Sequence, residues 1–105
     1  MLKNPKAKGS RNELRAKKTM EEKGWWVIKA GGSLGVWDLA CLSPNGLGLL
    51  IQVKTNRRPD KKEMATLKEF PFPYKELWIY HDREKEPTVE VIYDLVANIR
   101  GRNHV

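Results

Sequence analysis

Apolar positions along the 105-residue chain change their period several times, and each change marks an element. Over residues 11–23, Ala16 and Met20 recur at helical spacing with Glu13 on the same side, and Gly24 closes the pattern. This predicts a first helix with a carboxylate at the margin of its buried stripe. Ser10-Arg11-Asn12-Glu13 fits a capping box at its start: Ser10 accepts from the amide of residue 13 while Glu13 reaches back. "WWVIKA" (25–30) is rich in β-formers and predicts a strand. "GGSLG" (31–35) is a connection rather than a phosphate loop, because a strand follows it and not a helix.

Residues 36–42 and 48–54 read as a hairpin. "RPDKKEMATLKEF" reads as a second helix starting near Pro59 or Asp60, with Met64, Leu67 and Phe70 inward, ended by "FPFP". "ELWIYH" (76–81) and "TVEVIY" (88–93) supply two more strands, and 94–105 a short final helix with a frayed basic tail.

Length favours one domain over 1–105, with loose basic ends at about 1–9 and about 100–105. Hydrophobic residues make up 40% of the chain and four are Trp, enough for a core. No apolar run reaches the roughly 20 residues of a membrane span, and the start lacks the apolar centre of a secretory signal, so a cytoplasmic protein without a membrane partner is expected. The single Cys41 lies in an apolar run and reads as a reduced core residue.

The net charge is +7, concentrated in "KNPKAKGSRNELRAKK" and "KTNRRPDKK". Without a basic helix carrying bulky apolar residues, this favours nucleic acid over a membrane surface, with Lys3, Lys6, Lys8, Arg11, Arg57 and Arg58 as candidate DNA contacts. His81 and His104 have no partner at metal-ligand spacing and read as surface residues. Trp25, Trp26 and Trp78 read as core or dimer contacts rather than base-stacking platforms.

The hairpin contains polar residues where a buried strand calls for none. Pro44, Asn45 and Gly46 suit a three-residue loop flanked by Ser43 and Leu47, which sets Asp38 opposite Gln52. By alternation Asp38, Gln52 and Lys54 share one sheet face, while Trp37, Leu39, Cys41, Ile51 and Val53 turn to the core. A carboxylate, an amide oxygen and the Val53 carbonyl suit a hard divalent cation, with Glu13 joining from the first helix. Beside Mg²⁺, Lys54 would stabilise charge on a phosphate, which is phosphodiester hydrolysis chemistry.

With an opening "KGSRNE", Glu13 in the first helix, a Gly-Ser loop, Asp38 in the second strand and Gln52-x-Lys54 in the third, the chain resembles the PD-(D/E)xK nuclease superfamily, in particular the archaeal-type Holliday junction resolvases. The resemblance runs from Lys8 to about Tyr93. It implies an α/β, restriction-endonuclease-like fold, with a central mixed β-sheet of about five strands flanked by helices. It implies metal-site roles for Glu13, Asp38 and Gln52, a catalytic Lys54, and Ser33 in a loop near the scissile phosphate. Mg²⁺ would be the cofactor, with Mn²⁺ substituting, and a homodimer would cut two strands of a four-way junction. Two positions depart from the pattern: Trp37 stands where Pro is frequent, and Gln52 replaces the usual Glu, removing one negative charge from the metal site.

Overall fold

A computed structural model describes residues 5–30 and 35–92, the first four of them as backbone. They form α1 (Pro5–Glu22), β1 (Trp26–Lys29), β2 (Leu39–Leu42), β3 (Gly48–Thr55), α2 (Lys61–Glu69), β4 (Lys75–Tyr80) and β5 (Thr88–Ile92). Lys3, Ser33, the expected final helix and the basic tail lie outside the described residues.

The five strands make one mixed sheet in the order β1-β2-β3-β4-β5, with β3 and β4 parallel and every other pair antiparallel. The parallel step follows from α2, which carries the chain from the end of β3 back to the start of β4. Residues 49–53 of β3 are all buried, as a central strand covered on both faces requires. On one face Ala16 and Met20 of α1 pack with Leu39, Cys41, Leu49, Ile51, Val53, Trp78 and Tyr80. On the other, Leu67 of α2 packs with Trp37, Leu50, Leu77, Ile79 and Ile92, with Met64 and Phe70 partly buried beside it. Complete burial of side chains such as Leu39, Ile51 and Leu77 contributes roughly 1.5–3 kcal/mol each. No helix among the described residues is long and apolar enough to cross a membrane.

The first helix starts at Pro5, not at 11, so Ser10 and Glu13 lie inside it and do not form a capping box. Pro5 has the backbone preset for a first helical residue, and Lys-Ala-Lys extends the helix well, so the helix takes in residues assigned to the loose end. Its C-terminus is a Schellman turn: Trp25 N–H donates to the Met20 carbonyl at 3.1 Å and Gly24 N–H to that of Glu21 at 3.0 Å. The capping box is instead at α2, where Asp60 accepts from the Glu63 amide at 2.8 Å and Glu63 Oε1 from the Asp60 amide at 3.4 Å.

At the other end of α2 the fully buried Lys75 caps the helix from β4. Its ammonium donates to the carbonyls of Leu67 at 2.7 Å, Lys68 at 3.0 Å and Phe70 at 2.7 Å.

The hairpin has its expected register. Ser43 N–H meets the Leu47 carbonyl at 2.9 Å, Gly46 sits at φ +85°, and Leu39 pairs with Ile51.

Candidate functional site

β2 begins only at Leu39, while its neighbour β3 runs on to Thr55 beyond the last paired residue. Residues 37 and 39 of an unbroken strand would share a face. Trp37 instead packs on the α2 side and Leu39 on the α1 side, so the chain changes face at Asp38. The backbone there is fixed, with Asp38 N–H donating to the Ile51 carbonyl at 3.0 Å and the Asp38 carbonyl accepting from Ala30 at 2.8 Å. Its carboxylate turns onto the edge of β3, where Oδ2 accepts from the Val53 amide at 2.7 Å. A side chain thereby satisfies a strand donor that β2 no longer reaches.

This corrects the expectation that Asp38, Gln52 and Lys54 project from one face of a regular hairpin with Trp37 opposite. Gln52 and Lys54 share with Leu50 the face toward α2, Asp38 lies at the strand edge, and Glu13 comes from α1 on the other side of the sheet. The groups still share one electrostatic neighbourhood. Asp38 is raised from 3.8 to about 6, chiefly because burial disfavours its charge and further because of the Glu13 carboxylate, against the Val53 amide, Lys54 and Lys29. Lys29 Nζ in turn lies 4.0 Å from Glu13 Oε1. Two carboxylates that repel each other in a partly desolvated place are a setting that a cation would relieve.

Gln52 is buried, and its Oε1 has no hydrogen-bond partner. An orphaned buried acceptor costs about 1–3 kcal/mol, a penalty that a bound cation or its water would remove. The donor set, all oxygen, fits a hard divalent ion rather than a soft one. It is lean: among the described residues no three His, Cys, Asp or Glu side chains gather in a metal-binding group.

Lys54 ends this row. Its ammonium is 2.6 Å from Glu63 Oε2, with the Lys54 side chain only 11% exposed. The bond to Lys54 is the main cause holding the Glu63 carboxyl below its usual range. Sequence reasoning missed Glu63. The Asp60-x-x-Glu63 pattern signalled a capping box, but its pairing with Lys54 depends on how α2 folds back over β3. Asn12 was missed too. This buried side chain donates from Nδ2 to Thr55 Oγ1 at 2.7 Å, fastening the turn of α1 that carries Glu13 to the end of β3 that carries Lys54.

The candidate DNA contacts are unequal. Lys6 and Lys8 lie on the first turns of α1 and Lys3 precedes the described residues. Arg11 is exposed and lines a cleft with Arg15, His81 and Arg83. Arg57 is 61% exposed and reaches Glu63 Oε1 at 3.5 Å. Arg58 is occupied by both carboxylate oxygens of Glu90. Cys41 is buried, with its thiol pushed up to about 12 by burial and then by Glu76, so it is no nucleophile.

Trp78 is a core residue and Trp25 packs partly against the core, but Trp26 is 77% exposed. Ile28 and Leu42 are exposed on the same sheet face as Trp26, an apolar patch on the β1 edge. No protein-family model matches the chain, and neither does any curated protein or solved structure.

Proposed function

We propose that the chain is a Mg²⁺-dependent, structure-selective DNA endonuclease with a restriction-endonuclease-like fold, acting on four-way junctions. The observation that carries this reading is the half-buried Asp38 carboxyl just ahead of β2, held on the Val53 amide within the field of Glu13 and Lys54, on a strand whose Gln52 carries an orphaned oxygen. The order of elements and the five-stranded mixed sheet agree with it.

Glu13, Asp38, Gln52 and the Val53 carbonyl would hold the cation. When bound, Mg²⁺ neutralises phosphate charge and acidifies water, and Mn²⁺ would substitute. The protein's own part is distinct. Asp38 is fixed by the Val53 amide so that its carboxylate has one orientation, and the Asn12–Thr55 bond keeps Glu13 within range. Lys54 supplies a positive charge, sheltered from solvent, to the phosphodiester as negative charge accumulates. Ser33 is proposed beside the scissile phosphate. Lys3, Lys6, Lys8, Arg11 and Arg57 would bind flanking phosphates, with Arg58 available only in exchange for Glu90.

Cutting two strands of a junction calls for two sites, and a two-fold homodimer supplies them. The exposed Trp26, Ile28 and Leu42 give such a dimer apolar surface to bury. Sedimentation showing only a 12.1 kDa species, alone and with junction DNA, would sink the paired incision.

A second reading, a DNA-binding module without catalysis, is favoured by the absence of a three-carboxylate group among the described residues. Incubating the purified protein with four-way junction and linear duplex DNA in Mg²⁺ or Mn²⁺ separates the readings. Paired nicks in the junction alone support resolution, and equal cutting of both substrates supports a nuclease of another kind. Tight binding without cleavage in either metal supports the binding module.

A further inference from the structure

We infer that Glu63 is a positioning residue for Lys54: a carboxylate fixed on the first turn of α2 that sets where the ammonium points and keeps it at the site. The inference rests on the nuclease reading above. Lys54 is a long side chain with four rotatable bonds and little solvent around it. Left alone, such a side chain loses its orientation to rotamer entropy or turns toward bulk water.

Glu63 prevents both. Its Oε2 lies 2.6 Å from Lys54 Nζ, the geometry of a charge-assisted hydrogen bond. Its own place is determined from two sides. The backbone amide of Glu63 donates to Asp60 Oδ1, and its Oε1 accepts from the Asp60 amide, so the capping box that starts α2 also orients the carboxylate. The helix itself is pinned below by Leu67 and at its far end by Lys75. An ammonium has three donors, and Glu63 takes one of them, which leaves Lys54 able to meet a phosphate oxygen without breaking the hold.

The carboxylate is therefore a part of the site contributed by α2, the element that carries none of the residues singled out by the sequence pattern. Its shared contact with Arg57 at 3.5 Å puts a candidate phosphate ligand on the same anchor.

Glu63→Gln separates this role from helix capping, because Gln serves a capping box as well as Glu but carries no charge. Three quantities are to be measured on the full chain: the cleavage rate at saturating junction DNA, the KM for DNA, and the rate at which Lys54 is acetylated by acetic anhydride, read by mass spectrometry. The expected result is a fall in kcat of roughly 10–100-fold, as for loss of a positioned electrostatic group, with KM within a few-fold and the thermal midpoint nearly unchanged. Lys54 acetylation should rise several-fold, and Glu63→Asp, too short by one methylene, should behave like Glu63→Gln.

Wild-type kcat and wild-type Lys54 reactivity in Glu63→Gln, with Lys54→Ala inactive, would overturn the inference and leave the nuclease reading standing. Absence of cleavage by the wild-type protein in both metals would remove the nuclease reading and the inference with it. A melted Glu63→Gln variant would show that the residue acts on the fold, and would overturn the inference as well.

Discussion

Lys75 and Lys54 enter the same side of the sheet, one at the start of β4 and one near the end of β3, and both reach α2. At Lys75 three ammonium donors meet three helix carbonyls with no side-chain exposure at all. At Lys54 the surroundings are less complete: one carboxylate partner, and two positions back along the strand an acceptor, Gln52 Oε1, with none. A buried polar group whose bonds are all made serves the fold, and one left short calls for a partner such as water, an ion or a ligand. The difference makes the start of β4 a cap and agrees with the proposed site at the end of β3.

The largest test of that contrast is on stability. Lys75→Met keeps the side-chain volume but strands three carbonyls at the end of α2, so unfolding free energy should drop by about 3 kcal/mol or more, measured by urea denaturation. Lys54→Ala should cost stability much less, yet remove cleavage by at least about 10²-fold, roughly 3 kcal/mol of barrier. Equal stability losses in the two variants would erase the distinction.

Asp38→Asn and Glu13→Gln come next. Each should abolish cleavage while leaving DNA affinity within a few-fold, because the proposed phosphate contacts are the basic residues. Asp38 also leaves a signature in pH. Between its ordinary value of 3.8 and the raised value of about 6, the folded state retains a proton that the unfolded chain has released. Stability contributed by this group is therefore present below about pH 4 and lost as pH rises to about 6. Allowing for its partial exposure, the loss is about 1–2 kcal/mol. Asp38→Asn should flatten that slope in thermal melts recorded across pH 4–7, and Mg²⁺ should raise the wild-type midpoint above pH 6 by favouring the charged form. A wild-type profile without the slope would mean that Asp38 is not held as described.

How far these groups could be read from the chain depends on the range of the interactions involved. The hairpin register was legible because Ser43-Pro44-Asn45-Gly46-Leu47 admits few turns, and the turn alone aligns Asp38 with Gln52. The five strands were legible as short β-rich runs, while the mixed pairing was expected only from the family resemblance. The face change at Asp38 was not. A strand pattern assumes unbroken alternation, and only the packing of Trp37 under α2, edge-on to Phe70 at 5.7 Å, reveals the break. The start of α1 was misjudged because Ser10 and Glu13 carry a cap signature wherever they occur, while Pro5 five residues earlier carries another. Glu63, Asn12 and Lys75 had no local signal for their roles, since each bonds to a residue that only the tertiary fold brings near.

Smaller effects sharpen the site. Gln52→Glu restores a charge to a lean donor set, so the Mg²⁺ concentration for half-maximal rate should fall, because a carboxylate holds a hard cation better than an amide. An unchanged concentration would remove Gln52 from the ligands. The buried position also sets a condition on this variant: without metal, the added carboxylate has no partner to offset its desolvation, so the metal-free protein should melt earlier than wild type and recover on adding Mg²⁺.

The smallest expected effect separates the two adjacent arginines. Arg57 is mostly exposed, with a single long contact to Glu63, whereas Arg58 is already neutralised by both oxygens of Glu90 on β5. A phosphate binding Arg57 displaces counterions at little cost, while one binding Arg58 must first separate an ion pair. Arg57→Ala should therefore lower the slope of log affinity against log salt by about one, and Arg58→Ala by clearly less. Glu90→Gln supplies the converse: with its partner gone, Arg58 becomes a free cation, and junction affinity at low salt should rise. Equal slopes for both arginine variants would show that the Arg58–Glu90 pair opens freely in solution, as exposed pairs with weak net energies do. In that case the basic face extends over β5 as well as α1 and the β3–α2 connection.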